Sequence, residues 1–144
     1  MKVFLAGIMQ GSRLDRYIDD QDYRRVIGQA LLAYNPHAEI VDPNELHPNG
    51  VDYGDEQARA TLLEMAHLAA QADLVVAYAP QASMGTAIEM WQGFQAGIPV
   101  VTISPMKDNW VVKHISDIVL PDLAAFESWA ASGGPRNLLS HEEV

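Results

Sequence analysis

The 144-residue chain contains no cysteine. That excludes a disulfide framework, a thiolate nucleophile and a thiolate metal site, and it is compatible with a reducing cytoplasm. Basic residues are also scarce: nine Lys and Arg stand against nineteen Asp and Glu, a formal net charge of −10. Binding a nucleic-acid polymer takes clustered cations, and these are scattered, so the expected partners are small molecules. No run approaches the roughly 18 apolar residues that a membrane span requires. The opening MKVFLAGIMQGSR is apolar too briefly for a signal peptide and lacks a cleavage pattern, so it reads as a first strand. His37, His47, His67, His114 and His141 are dispersed without metal-ligand spacing. There is no G-x-G-x-x-G after the first strand, no P-loop Lys-Ser/Thr and no G-x-S-x-G elbow, which weakens dinucleotide, NTP-hydrolysis and serine-hydrolase readings.

Charge is missing most conspicuously from the middle of the chain. Between Asp73 and Lys107 the 33 residues 74–106 carry one formal charge, Glu89. Burying an unpaired carboxylate costs several kcal/mol, so this one requires a reason. The segment reads as a buried strand (Leu74 to Ala79), a turn (Pro80 to Ser83), a helix (Met84 to Ala96) stopped by Gly97, and a second buried strand (Val100 to Ile103). Glu89 then falls in the second turn of a helix that starts at the carboxyl end of a strand, the edge where open α/β sheets bind ligands.

The remaining chain repeats this alternation. Lys2 to Ala6 is an all-apolar strand, followed by the two-glycine loop Gly7 to Arg13. Asp19 or Asp20 is placed to cap a helix carrying Tyr23, Val26, Ile27, Ala30, Leu31 and Tyr34, and Asn35-Pro36 ends it. Ala38 to Val41 is a short strand, and Asp42 to Gly54 a long polar loop, either a binding or oligomer-contact loop or a plain surface excursion. Asp55 caps a helix from Glu56 to Gln71 with Leu62, Met65, Ala66 and Ala69 toward the sheet. A helical turn at Val111 to His114, a strand from Ile115 to Leu120 and a helix capped by Asp122 complete the series. Residues 1–134 form one domain, and 135–144 a loose polar tail. The fold class is α/β, a five-stranded parallel sheet in a Rossmann-like or flavodoxin-like three-layer sandwich.

Loops after the first, third and fourth strands should meet at one sheet edge, joining Gly7 to Arg13, Pro80 to Gly85 and Ser104 to Trp110. Ser83 sits at the helix N-cap, so its hydroxyl and the free N–H groups of Met84, Gly85 and Thr86 face a common space suited to an anion or a sugar hydroxyl. Gly85 and Gly93 lie one turn before and after Glu89, a strip without side chains that leaves room for substrate. Glycine disfavours a helix by roughly 1 kcal/mol at each position. In the competing structural reading Ser83 is only a cap and Glu89 pairs with a buried arginine, for which Arg13 is the candidate.

The strand ending in Ala6-Gly7, the run ADLVVA from Ala72, the run SMGTAIEM from Ser83 and the closing GIPVV from Gly97 together resemble the nucleoside 2-deoxyribosyltransferase superfamily, which includes nucleoside 5′-monophosphate N-glycosidases. The resemblance spans Lys2 to about Trp129 and is most specific from Asp73 to Val101. It implies a flavodoxin-like fold, homo-oligomers built from dimers, no cofactor, and Glu89 as a nucleophile that forms a glycosyl ester. It places Gly7, Ile8, Gln10, Gly11, Ser12, Arg13, Ser83, Met84 and Gly85 around the substrate, with Asn109 contributing across a subunit boundary. The chain departs from the pattern at Phe4, where transferases have Tyr, and at Met65, where they have the Asp that helps protonate the leaving base. Glu64, His67 and Asp108 are the candidates to replace that acid. Ile8 and Gln10 stand where the monophosphate hydrolases use Ser and Arg, whereas Ser83 stands where the hydrolases also have Ser.

Overall fold

The computed structural model describes residues 1–11, 14–15 and 18–141. Five parallel strands, β1 (Lys2–Gly7), β2 (Glu39–Val41), β3 (Leu74–Tyr78), β4 (Val100–Ile103) and β5 (Ile118–Leu120), form one sheet in the order β2-β1-β3-β4-β5. Alternate residues of β1 face opposite sides, as strand geometry dictates. Val3 and Leu5 pack with Tyr23, Ile27 and Leu31 of α1 (Asp22–Tyr34) and with Phe126 of α6 (Leu123–Ala131). Phe4 and Ala6 pack with Met65 and Ala69 of α3 (Asp55–Ala69) and with Met90 of α4 (Met84–Gln95). The result is the expected three-layer α/β sandwich in the flavodoxin-like strand order.

Element boundaries move for identifiable reasons. Gln21, not Asp19 or Asp20, is the N-cap of α1, while Asp20 Oδ1 accepts from the Asp22 amide at 3.0 Å. Gly54 precedes α3 without a side-chain cap, and Asp55 is its first residue. The fifth strand begins at Ile118, because α5 (Trp110–Ile115) takes Ile115. The loose tail expected from Pro135 is instead α7 (Gly134–Ser140), with Pro135 buried near its start. The loop from Asp42 to Gly54 is also built: Asp42 caps α2 (Pro43–Leu46) through its carboxylate and the Asn44 amide, and a 3₁₀ turn follows at Gly50–Asp52.

The chain runs from β1 outward to β2, then returns to β3 on the other side of β1, so β1 and β3 form the topological switch point. Gly7 pairs with Tyr78 in the ladder, and the Ile8 amide donates to the Tyr78 carbonyl at 3.3 Å. The loops after these two strands therefore leave the sheet side by side. Among the described residues no helix is long and apolar enough to cross a membrane.

Candidate active site

A cleft of about 360 Å³ opens at this switch point, near the lower end of the range for small-molecule sites. It is lined by Gly7, Gln10 and Gly11 after β1, and by Ser83, Met84, Gly85, Thr86 and Glu89 of α4 and its cap. The segment after β2 (Pro43, His47, Gly50, Val51, Tyr53) and the inner face of α3 (Ala58, Thr61, Leu62, Met65) close it.

Glu89 remains partly exposed to this cleft, yet its Oε2 is buried and has no hydrogen-bond partner among the described residues. Burial pushes its pKa up to about 8, with the charge of Arg24 opposing from a distance. The carboxyl therefore holds its proton near neutrality until something in the cleft stabilises the anion. A strongly displaced acid in a cleft is what catalytic carboxylates present.

The cap of α4 supplies polar groups to the same space. Ser83 Oγ accepts from the Thr86 amide at 3.4 Å and from Thr86 Oγ1 at 2.9 Å, so its own proton is available to a ligand. Of the three amides expected to be free, Thr86 is thus engaged, leaving Met84 and Gly85 as first-turn donors. The glycines divide by role. A Cβ on Gly85 meets nothing within 4 Å, in keeping with open space, whereas one on Gly93 would lie 2.8 Å from Val75 Cγ2. Gly93 serves the contact of α4 with the sheet and leaves no room for substrate.

Arg24 organises the cleft from beneath. Its buried guanidinium donates to the Leu5 carbonyl (3.1 Å), the Gly7 carbonyl (3.3 Å), Asp42 Oδ1 (2.9 Å) and Gln21 Oε1 (2.6 Å). Because Asp42 also caps α2, this one side chain fixes the end of β1 relative to the segment after β2. Tyr23 donates its hydroxyl to the Ile8 carbonyl at 2.9 Å, and burial pushes that phenol's pKa above its ordinary value. The signal for Arg24 is in the sequence, since it precedes Ile27 by three residues and Leu31 by seven, on the buried stripe of α1.

Other expected site residues scatter. Ile8 is a core residue, its side chain packed beneath the loop with Tyr23 and Ile27. Asn109 lines an adjacent cavity of about 330 Å³ with Met106, Val111 and Val112, and its side chain caps α5. The loop after β4 borders that second cavity together with Gly11, Ser83 and Met84, so the three loops expected to converge do meet there, while the segment after β2 stands beside Glu89. Ser12 and Arg13 lie outside the described residues. Leu62, expected against the sheet, is half-exposed at the cleft.

The segment after β2 carries a cluster that the sequence reading did not single out. His47 Nδ1 lies 2.8 Å from the Tyr53 hydroxyl, with the two rings edge-to-face, and His47 Nε2 lies 3.5 Å from Glu64 Oε2. The compact chain path brings them together: the Gly50 amide donates to the His47 carbonyl, and the Tyr53 amide to that of Gly50. Of the three replacements considered for the acid missing at Met65, only Glu64 connects to the cleft, through His47. His67 bonds Gln71 on the exposed side of α3, and Asp108 is exposed and absent from the cleft lining.

No family model and no curated protein matches this chain. Solved structures do. A 2-deoxyribosyltransferase from Bacillus psychrosaccharolyticus is 19% identical with a TM-score of 0.66, over 88% of this chain and 90% of that one. A CMP N-glycosidase from Clostridium botulinum, BcmB, is 14% identical with a TM-score of 0.53, over 92% and 99%. The sugar isomerase domain of an RpiR transcription factor from Sphaerobacter thermophilus is 12% identical with a TM-score of 0.56, over 98% and 76%. At these identities the likeness is one of fold, and a fold does not fix an activity. The chain carries the α/β fold that the 2-deoxyribosyltransferase and CMP N-glycosidase structures share, in keeping with the superfamily resemblance read from Asp73 to Val101.

Proposed function

We propose that this protein breaks the N-glycosidic bond of a nucleoside or nucleoside 5′-monophosphate and passes the glycosyl group to a second base or to water. The observation that carries this reading is the carboxyl of Glu89, whose Oε2 has no hydrogen-bond partner among the described residues, at a ligand-sized cleft between the β1 and β3 loops. In the reaction a Glu89 oxygen attacks the anomeric carbon and the carbon–nitrogen bond breaks with its electron pair on the base. The glycosyl ester is then resolved by the acceptor on the same face, with net retention. Sugar hydroxyls donating to the carboxylate would lower its pKa as substrate binds, so the nucleophile ionises when needed. Gly85 leaves space beside it, and the Ser83 hydroxyl with the Met84 and Gly85 amides meets the sugar or its 5′ substituent, together with Gly7, Gln10, Gly11, Ser12 and Arg13.

Transfer is the leading form, and hydrolysis by the same residues is the second, favoured by Ser83 at the cap. Incubation with a deoxynucleoside and a different free base separates them: a new nucleoside means transfer, and free sugar with free base means hydrolysis. If no deoxynucleoside, ribonucleoside or monophosphate is turned over while ligand binding persists in both wild type and Glu89→Ala, the chain is a binding module. The same reading includes a homo-oligomer, supported by the outward face of α4, which exposes Ile88, Trp91 and Phe94, the last two stacked at 5.7 Å. Asn109 would then reach a neighbouring subunit's site.

A further inference from the structure

Breaking a glycosidic bond to a neutral base leaves negative charge on the departing nitrogen heterocycle unless a proton arrives as the bond breaks. Nothing titratable stands at Met65, which is apolar, buried and on the inner wall of the cleft. Among the described residues lining the cleft, His47 and Tyr53 can carry a proton there besides Glu89 itself.

We propose that Tyr53, His47 and Glu64 form a proton relay that protonates the leaving base, with the Tyr53 hydroxyl as its terminal donor. This inference rests on the N-glycosidic reading above. The geometry assigns the order. His47 Nδ1 is engaged by the Tyr53 hydroxyl at 2.8 Å, and Nε2 has the Glu64 carboxylate as a neighbour at 3.5 Å. The phenol ends this chain of contacts on the side opposite Glu64 and borders the cleft. When it accepts from Nδ1–H, its own proton is free to be donated. An imidazole carrying protons on both nitrogens can supply the proton that the phenol passes on. As the anomeric carbon–nitrogen bond breaks, the base nitrogen takes the Tyr53 proton, Tyr53 takes the Nδ1 proton, and the neutral imidazole stays bound to the Glu64 carboxylate. In the second half-reaction the acceptor, water or a base N–H, returns one proton along the same path as it bonds to the anomeric carbon and frees Glu89. Glu64 acts only through His47 and is a positioning residue. Its half-exposed side chain keeps the cluster in reach of solvent protons.

A cationic base leaves as a neutral molecule and needs no proton, which gives the test. Wild type, Tyr53→Phe, His47→Asn, Glu64→Gln and Glu89→Gln are assayed on the four 2′-deoxynucleosides and their 5′-monophosphates. The same set is assayed on 7-methyl-2′-deoxyguanosine and its monophosphate, with the spontaneous rate subtracted. We expect Tyr53→Phe and His47→Asn to lose about 10²–10⁴-fold in kcat on unmethylated substrates and to stay within about tenfold of wild type on the methylated ones. Glu64→Gln should fall less on the unmethylated substrates and match wild type on the methylated ones. Equal losses on both classes, or no loss on either, overturn the relay while leaving the N-glycosidic reading standing, provided Glu89→Gln abolishes turnover. Absence of turnover by wild type on every substrate overturns that reading, and the relay with it.

Discussion

A carboxyl group whose pKa lies near 8 makes the folded state sensitive to pH in a definite direction. Between the ordinary carboxylate value of 4.5 and about 8, Glu89 holds its proton in the native state and loses it in the unfolded chain. The native state binds the extra proton, so stability declines as pH rises through that window. Glu89→Gln removes the dependence. Its unfolding free energy should match wild type near pH 4.5 and exceed it at pH 8 by roughly 2–5 kcal/mol, measured by denaturant titration at both values. Equal pH dependence in the two proteins would contradict the burial of this carboxyl. Glu89 itself was legible because it is alone in a long uncharged stretch, a pattern that only an unusual requirement sustains. His47 and Tyr53 were not, because their partnership depends on a turn between them that composition does not encode.

At the scale of elements, α4 separates two uses of glycine that look alike in sequence. Gly93→Ala would press a methyl against Val75 and should destabilise by about 1–3 kcal/mol. Gly85→Ala meets no atom and should stabilise the helix by about 0.5–1 kcal/mol while lowering turnover, because its methyl enters the cleft. Parallel melting curves and assays of the two variants check both. The segment after β2 depends on Arg24 in the same way. Arg24→Met leaves the partly buried Asp42 without its cation and two strand-end carbonyls short of a donor, which should cost about 3 kcal/mol. Activity should also fall in the protein that remains folded, since the wall carrying His47 and Tyr53 is no longer tied to β1. An unchanged melting curve would contradict that tie. Helix periods and turn residues made most elements readable, but the segment from Asp42 to Gly54 looked like loop because its two prolines and two glycines mask a helix only four residues long.

For the molecule as a whole, alternation of uninterrupted apolar strands with amphipathic helices left few options other than a parallel sheet covered on both faces. Strand order followed less directly, because it depends on which way the chain turns after β1. The loops after β1, β3 and β4 meet at one sheet edge, as the sequence reading expected, but the cleft beside Glu89 is walled by the segment after β2, which that reading left out of the site. The exposed aromatic face of α4 belongs to this scale too. Sedimentation of wild type should give a dimer or larger assembly, and Trp91→Glu with Phe94→Glu a smaller species. A wild-type monomer at every concentration would remove the proposed role of Asn109 across subunits.

The central claim is that the Glu89 carboxylate bonds to the anomeric carbon of a nucleoside. It is tested most directly by incubating the protein with 2′-fluorinated nucleosides and their monophosphates, which slow resolution of a glycosyl ester, and recording the intact mass followed by peptide mapping. The account predicts a gain of one fluoroglycosyl group on the peptide containing Glu89, absent from Glu89→Gln. Turnover of the parent nucleosides with no such adduct, or an adduct that persists in Glu89→Gln, would contradict it.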